Sequence, residues 1–245
     1  MGFNVFIPAR FDSSRLPGKP LERAGGRPLI EWVWNAARRS DADRIVIATD
    51  DERVAAAAEA FGAEVCLTGR HHASGTDRIS EAAGCLGLDP ASIVVNLQGD
   101  EPGMPGELIN GVARTLAESS EASIATAASP MADEADMENP NIVKVVCNRN
   151  GDGLYFSRSR IPYPREAGAG AVAYRHLGIY AYRCDYLRLF TARAPTVLER
   201  TECLEQLRAL EYGDRIAVYI TASAPSPGID TPEDLQRFRR EVEHD

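Results

Sequence analysis

Three cations, Arg10, Arg15 and Lys19, fall close together in the stretch Ala9-Arg10-Phe11-Asp12-Ser13-Ser14-Arg15-Leu16-Pro17-Gly18-Lys19-Pro20. Two serines and Pro17-Gly18 make this stretch a loop. A polar loop with three cations just past a strand is where an α/β protein can hold a polyphosphate, although such cations could equally be merely solvated. Two acids further along could complete a site. Asp100 stands in Gln98-Gly99-Asp100-Glu101-Pro102, beside a glycine that lets a ligand close on the backbone, which suits a hard divalent ion. It could equally be a turn acid satisfied by neighbouring N–H groups. Asp230, in Gly228-Ile229-Asp230-Thr231-Pro232, has a similar setting, or could cap the last helix. With Arg10 and Lys19, two such acids would provide a magnesium site and a triphosphate cradle.

Other motifs carry less. Leu16-Pro17-Gly18-Lys19-Pro20 contains a Gly-Lys pair, but its upstream glycine spacing is wrong for a Walker A loop and Pro20 replaces the hydroxyl residue. Gly168-Ala169-Gly170-Ala171-Val172-Ala173 nearly spells a dinucleotide fingerprint, yet it follows a loop and opens no helix, so a loop is expected. His71 and His72 are adjacent, converge poorly on one ion and have no cysteine or acid pattern to complete a site, so a solvent-facing pair is expected. No Gly-x-Ser-x-Gly elbow is present, which argues against a serine hydrolase.

The elements that must position these residues alternate through Asp100. A strand over 5–8 should end at Pro8, which has no N–H for a ladder. A helix from Pro28, with Leu29, Ile30, Val33 and Trp34 at helical spacing, is followed by a strand over 44–51 and a helix over 52–61 closed by Gly62. A strand over 64–68, a helix opened by Ser74 and a strand over 92–97 complete this half. Such alternation implies a mostly parallel sheet wound on both faces, with ligands off the carboxyl ends of its strands. Those ends are Ala9-Arg10, Thr49-Asp50 and Gln98-Gly99-Asp100. Beyond a helix from Glu107 and a strand over 122–129, Asn150-Gly151-Asp152-Gly153 signals a hairpin between strands over 142–147 and 154–157, which makes the sheet mixed. A loop over 162–173, a strand over 176–182, one helix over 202–210, a strand over 216–220 and a helix capped at Thr231-Pro232 finish the pattern. One α/β domain over 1–245 is expected, with an excursion of roughly 130–185.

The chain's 245 residues, 44% hydrophobic and 26% charged, can bury a sizeable core, and a net charge of -9 disfavours nucleic acid or an anionic membrane as partner. Five scattered cysteines read as reduced thiols in a cytoplasmic protein. No basic-then-apolar leader and no apolar run of bilayer length are seen, so a soluble cytoplasmic protein is expected.

Ile7-Pro8-Ala9-Arg10, Ser14-Arg15-Leu16-Pro17-Gly18-Lys19-Pro20-Leu21 and Ala48-Thr49-Asp50 resemble the sugar nucleotidylyltransferases that make CMP-activated acidic sugars. The likeness continues through Ser74-Gly75-Thr76-Asp77-Arg78, Gln98-Gly99-Asp100-Glu101-Pro102, Asn139-Pro140-Asn141-Ile142-Val143-Lys144 and Tyr155-Phe156-Ser157-Arg158. It ends with His176-Leu177-Gly178-Ile179-Tyr180, Glu205-Gln206-Leu207-Arg208 and Gly228-Ile229-Asp230-Thr231-Pro232, and is nearest to the branch acting on 3-deoxy-manno-octulosonate (Kdo). The resemblance implies a Rossmann-like nucleotide-diphospho-sugar transferase fold with a mixed, mostly parallel central sheet. It further implies magnesium-dependent conversion of CTP and Kdo to CMP-Kdo and diphosphate, for lipopolysaccharide biosynthesis, in a cytoplasmic homodimer. On that likeness Arg10 and Lys19, with Arg15 close by, would hold the triphosphate. Ala9, Ser74, Arg78 and Gln98 would surround cytosine or ribose, and Asp100 and Asp230 would hold magnesium. Arg160, His176, Tyr180, Glu205 and Gln206, with Gln98, would face the sugar acid, and the excursion would serve sugar binding and dimerisation. The stretch from Arg165 to Tyr174 matches least. Rival readings are the same transfer to 8-amino-Kdo or a nonulosonic acid, and a non-catalytic nucleotide-binding protein. The latter should have lost one of Arg10, Lys19, Asp100 or Asp230. A related glycosyltransferase would carry Asp-x-Asp where this chain has Asp100-Glu101.

Overall fold

Residues 2–12, 16–131, 133–166, 172–222 and 224–243 are described by the computed structural model. Strand β1 (Asn4–Ala9) is followed by a small hairpin, β2 (Arg23–Ala24) and β3 (Arg27–Pro28), and by helix α1 (Leu29–Ala37), with Pro28 just outside it as N-cap. The alternation then runs β4 (Arg44–Thr49), α2 (Glu52–Ala60), β5 (Glu64–Leu67), α3 (Gly75–Cys85) and β6 (Ile93–Asn96). Pro8 does not stop β1, contrary to the sequence expectation. β1 pairs with β6 only from Asn4 to Phe6, while its pairing with β4 continues to Ala9. The Phe6 carbonyl accepts from Leu97 N–H at 3.0 Å, so Pro8, two residues on, turns its ring nitrogen to that same flank beyond the last pair. The missing N–H therefore costs no ladder bond.

The second half comprises α4 (Gly106–Glu118), β7 (Ile124–Pro130), α5 (Glu134–Glu138), β8 (Lys144–Cys147), β9 (Gly153–Ser157) and β10 (Tyr174–Arg183). It ends with α6 (Cys184–Ala192), α7 (Val197–Glu202), α8 (Leu207–Glu211), β11 (Ile216–Ile220) and α9 (Pro232–Val242). The single helix expected over 202–210 is two. Cys203 adopts the left-handed conformation (φ 52) and Leu204 N–H closes back on the Glu199 carbonyl at 3.2 Å, which ends α7. Residues 168–171 of the near-fingerprint lie outside the described residues.

The sheet runs β11-β7-β10-β6-β1-β4-β5, with β8 and β9 attached beside β10. Strands β6, β1, β4 and β5 are mutually parallel, and β11 is parallel to β7, whereas β10 runs antiparallel to both β6 and β7. The register of β10 against β7 shifts between Leu177 and Tyr180. One sheet face buries Ile7, Val95 and Ala181 with Val33 and Ile109 from α1 and α4. The other buries Phe6, Val94 and Tyr182 with Ile79 and Phe190 from α3 and α6. Each fully buried Ile, Val or Phe contributes roughly 1.5–3 kcal/mol, so the two faces hold the strand ends rigidly. Lys144 is wholly buried, and its ammonium donates to the carbonyls of Asn139, Ile142 and Arg158 at 2.9, 2.8 and 2.6 Å. It ties the approach to β8 to the exit from β9. Among the described residues no helix is long and apolar enough to cross a membrane.

Candidate active site

The carboxyl ends of β1 and β6 lie side by side because residue 99 is glycine. A Cβ there would stand 2.6 Å from the Pro8 carbonyl oxygen, closer than real contacts allow. The turn after β6 is closed by the backbone, Glu101 N–H to the Gln98 carbonyl at 3.2 Å, so the Asp100 carboxylate is not needed to satisfy it. That carboxylate instead accepts from Lys19 Nζ at 2.8 Å, and Asp230 accepts from the same ammonium at 3.2 Å. Lys19 opens a short 3₁₀ turn behind left-handed Gly18, and its side chain is only 11% exposed. The capping alternative for Asp230 does not hold either. Thr231 is the N-cap of α9, in a reciprocal box with Asp234. Asp230 is brought to the site by backbone and apolar packing. Ile229 N–H donates to the Asp100 carbonyl at 2.8 Å, and the buried Ile229 side chain clusters with Leu16, Leu29 and Leu235.

Ala9, Arg10, Lys19, Ser74, Arg78, Gln98, Asp100 and Asp230 all line one cleft of ≈ 240 Å³. Arg15 lies outside the described residues. Ser74 caps α3 through a box with Asp77, so the amino end of that helix opens on the cleft, where its dipole favours an anion. Arg10 makes no ion pair among the described residues and is exposed on the cleft wall. The Arg78 guanidinium is directed otherwise. It pairs with Asp50 at 2.9 Å and donates to the Thr68 hydroxyl at 2.6 Å, which braces the ends of β4 and β5 behind the wall. Negative charge is concentrated around Lys19. Burial, then the charges of Asp100 and Asp230, push the Glu101 carboxyl up to about 8.

Of the residues expected to face the sugar, Gln98 lines this cleft, whereas Arg160, His176, Tyr180, Glu205 and Gln206 do not. His176 and Tyr180 lie on β10 with ring centroids 5.5 Å apart, and Phe156 sits edge-on to His176 at 5.0 Å. The Thr126 hydroxyl is 2.8 Å from the Ile179 carbonyl and 2.9 Å from His176 Nε2. Its one proton goes to the carbonyl, so Nε2 carries the imidazole hydrogen and Nδ1 is the acceptor. Burial pushes the His176 pKa down to about 3, so the ring is neutral. Glu205 accepts from Thr76 Oγ1 at 2.6 Å, in the first turn of α3 beside Ser74, and burial raises its pKa. Gln206 is buried, with no hydrogen-bond partner for its Nε2 among the described residues. Arg160 pairs with Glu134 and Glu138 of α5 at 2.5 and 2.9 Å, and its Nε is buried without a partner among the described residues.

A cytidylyltransferase family profile matches residues 4–216. The chain belongs to the cytidylyltransferase family. It is 51% identical over 249 residues to the 3-deoxy-manno-octulosonate cytidylyltransferase of Pseudomonas fluorescens, covering 98% of each chain. It is 48% identical to the protein of that name from Vibrio cholerae, covering 99% of this chain and 98% of the other. A solved structure of CMP:2-keto-3-deoxy-manno-octonic acid synthetase complexed with CTP superposes with a TM-score of 0.92 at 39% identity, covering 99% and 98% of the two chains.

Some residues at and around the cleft of this cytidylyltransferase gave no usable sequence signal. Asn96 faces Tyr180 across the β6–β10 ladder and is fully buried, with neither amide atom partnered among the described residues. In sequence it reads as one more strand residue. The expectation of a solvent-facing His71-His72 pair holds for His71, which is exposed, and is corrected for His72. His72 lines the cleft with its side chain 11% exposed, and its Nε2 meets the Glu81 carboxylate, an acid that the α3 periodicity places only in three dimensions.

Proposed function

We propose that this cytidylyltransferase transfers the CMP unit of CTP to the anomeric hydroxyl of Kdo, with release of diphosphate. The observation that carries this reading is the convergence of Arg10 and Lys19 with Asp100 and Asp230 on one cleft. The near full-length likeness to proteins named for that reaction supports it. Two carboxylates meeting at one cationic point are a hard, all-oxygen donor set, and the point they share accepts positive charge, as the Lys19 ammonium demonstrates. The site therefore fits magnesium, with Asp100 and Asp230 as its protein ligands. Magnesium, when bound, supplies Lewis-acid polarisation and counter-charge for phosphoryl oxygens.

The protein's own groups do the positioning. Arg10 and the amino end of α3 neutralise phosphate oxygens, with Lys19 turning its ammonium from the acids to the triphosphate. Ala9, Ser74 and Gln98 border the nucleoside, and Arg78 keeps that wall rigid through Asp50. Neutral His176 offers Nδ1 as an acceptor to a sugar hydroxyl, and Tyr180, Glu205, Gln206 and Gln98 add further polar contacts. Arg160 can meet the sugar's carboxylate by exchanging it for Glu134 or Glu138. In-line attack at the α-phosphorus then relies on orientation and charge neutralisation.

The product serves lipopolysaccharide biosynthesis in the cytoplasm, and free thiols at all five cysteines suit a reducing compartment. Two copies form a homodimer, supported by the exposed Leu154, Tyr163 and Val172 on the 130–185 excursion. The test is diphosphate release measured across CTP and UTP, with Kdo, 8-amino-Kdo and a nonulosonic acid, with and without magnesium. Release dependent on CTP, Kdo and magnesium is expected. Preference for another acidic sugar overturns the substrate, and CTP binding without release overturns the activity.

A further inference from the structure

The segment between β5 and α3 folds over the second turn of α3, and in doing so it gathers His71, His72 and Glu81. One ligand atom from each lies within 4.8 Å of the others. Adjacent histidines ordinarily diverge, but here the backbone draws them together. Gly69 N–H donates to both Glu81 oxygens, at 3.3 and 3.0 Å, which pins the turn onto the helix. His72 Nε2 meets Glu81 Oε2. The His71 ring folds back across the turn, with Nδ1 and Cε1 2.5 Å from where a Cβ on residue 69 would stand, so glycine at 69 is what admits the ring. The two imidazoles end with centroids 4.4 Å apart at 39°.

Two imidazole nitrogens and one carboxylate oxygen are borderline donors that suit zinc and its neighbours, whereas magnesium and calcium take oxygen. Bonds of about 2.0–2.2 Å in a tetrahedral sphere put ligand atoms roughly 3.3 Å apart, a contraction that side-chain rotation can deliver from the observed cluster. A plain ion pair between His72 and Glu81 would have no use for His71. We propose that His71, His72 and Glu81 bind one divalent transition ion of the zinc class, its remaining position open to water, beside the nucleotide cleft whose wall includes His72. This site is separate from the all-oxygen pair Asp100 and Asp230, and an ion in it clips the turn leading into Ser74 onto α3.

The test uses the full-length protein, stripped with chelator and dialysed, and titrated with zinc in competition with a chromophoric chelator while excess magnesium is present. Cobalt serves as the spectroscopic probe. One equivalent per chain is expected, weakened by about tenfold or more in both His71→Ala and Glu81→Gln, with a cobalt spectrum free of any thiolate charge-transfer band. His71 is exposed, so His71→Ala should keep the parent's circular dichroism. The proposal is overturned by absence of stoichiometric binding, or by affinity that neither variant alters. Displacement of zinc by magnesium, which would put the ion on Asp100 and Asp230, overturns it too, as does a thiolate band, which would move it to Cys66 or Cys85.

Discussion

Replacing Lys19 with methionine separates the two tasks of its ammonium. In the resting protein Nζ lies 2.8 Å from Asp100 and 3.2 Å from Asp230. At an effective dielectric near 20, each contact is a gross attraction of roughly 5–6 kcal/mol. The acids are 30% and 47% exposed, so water already screens them, and desolvation of the ammonium offsets much of the remainder. The net loss of folding stability in Lys19→Met should be about 1–3 kcal/mol. The catalytic loss should be larger, because a preorganised charge at the triphosphate disappears. By analogy with removal of one oxyanion donor, kcat should fall about 10²–10³-fold, or about 2.7–4 kcal/mol. The two carboxylates, freed from their internal cation, should bind magnesium or manganese more tightly than the parent does in the absence of nucleotide. Steady-state diphosphate release, urea unfolding and manganese titration by electron paramagnetic resonance read the three quantities. Turnover within about threefold of the parent, combined with unaltered metal affinity, would refute the reasoning.

Asp100→Asn should retain CTP binding but lose about 10²–10³-fold in diphosphate release, and near-normal turnover would contradict its place at the metal. In Arg78→Met the largely buried Asp50 loses its partner, so urea unfolding should show a loss of about 3–5 kcal/mol; a shift under about 1 kcal/mol would mean the brace is dispensable. The His176 pKa is depressed from 6.5 to about 3 in the folded chain. Below pH 6.5 the unfolded chain takes up a proton that native His176 refuses, so stability present at neutral pH is lost as pH falls toward 3, by up to about 1.4 kcal/mol per unit. His176→Gln should flatten that part of the stability profile, and an unchanged acid limb would show that His176 is not buried neutral.

The βα alternation was legible because each element up to β6 carries its own local signal, from the capping box at Ser74 to Gly62 at the end of α2. Pro8 misled because a residue's effect on a strand depends on which flank is paired, which is decided by β6, some ninety residues away. The break at Cys203 was hidden since nothing in a cysteine announces a left-handed backbone. The nucleotide side of the site was readable from loop cations and acids at strand ends. The meeting of Lys19 with Asp100 and Asp230 was expected from their types, but the direct pairing of one ammonium with both acids was not, because it depends on the packing of Ile229 beneath the turn. The residues proposed to face the sugar came from the resemblance alone, since His176 and Tyr180 alternate like ordinary strand residues, and buried Asn96 opposite Tyr180 carried no signal at all.

The irregularity between Leu177 and Tyr180 acts as a joint within β10. From Tyr180 onward the strand is locked between β6 and β7, whereas its opening residues, Tyr174 to Leu177, pair with β7 and touch β8. Since β10 travels against its neighbours, those opening residues arrive where the parallel strands finish. The opening half of the strand can thus change its register without disturbing the half that joins the two parts of the sheet. A lineage under pressure to accept a differently decorated acid could vary Tyr174 to His176 first and leave the core, which holds Leu177, intact.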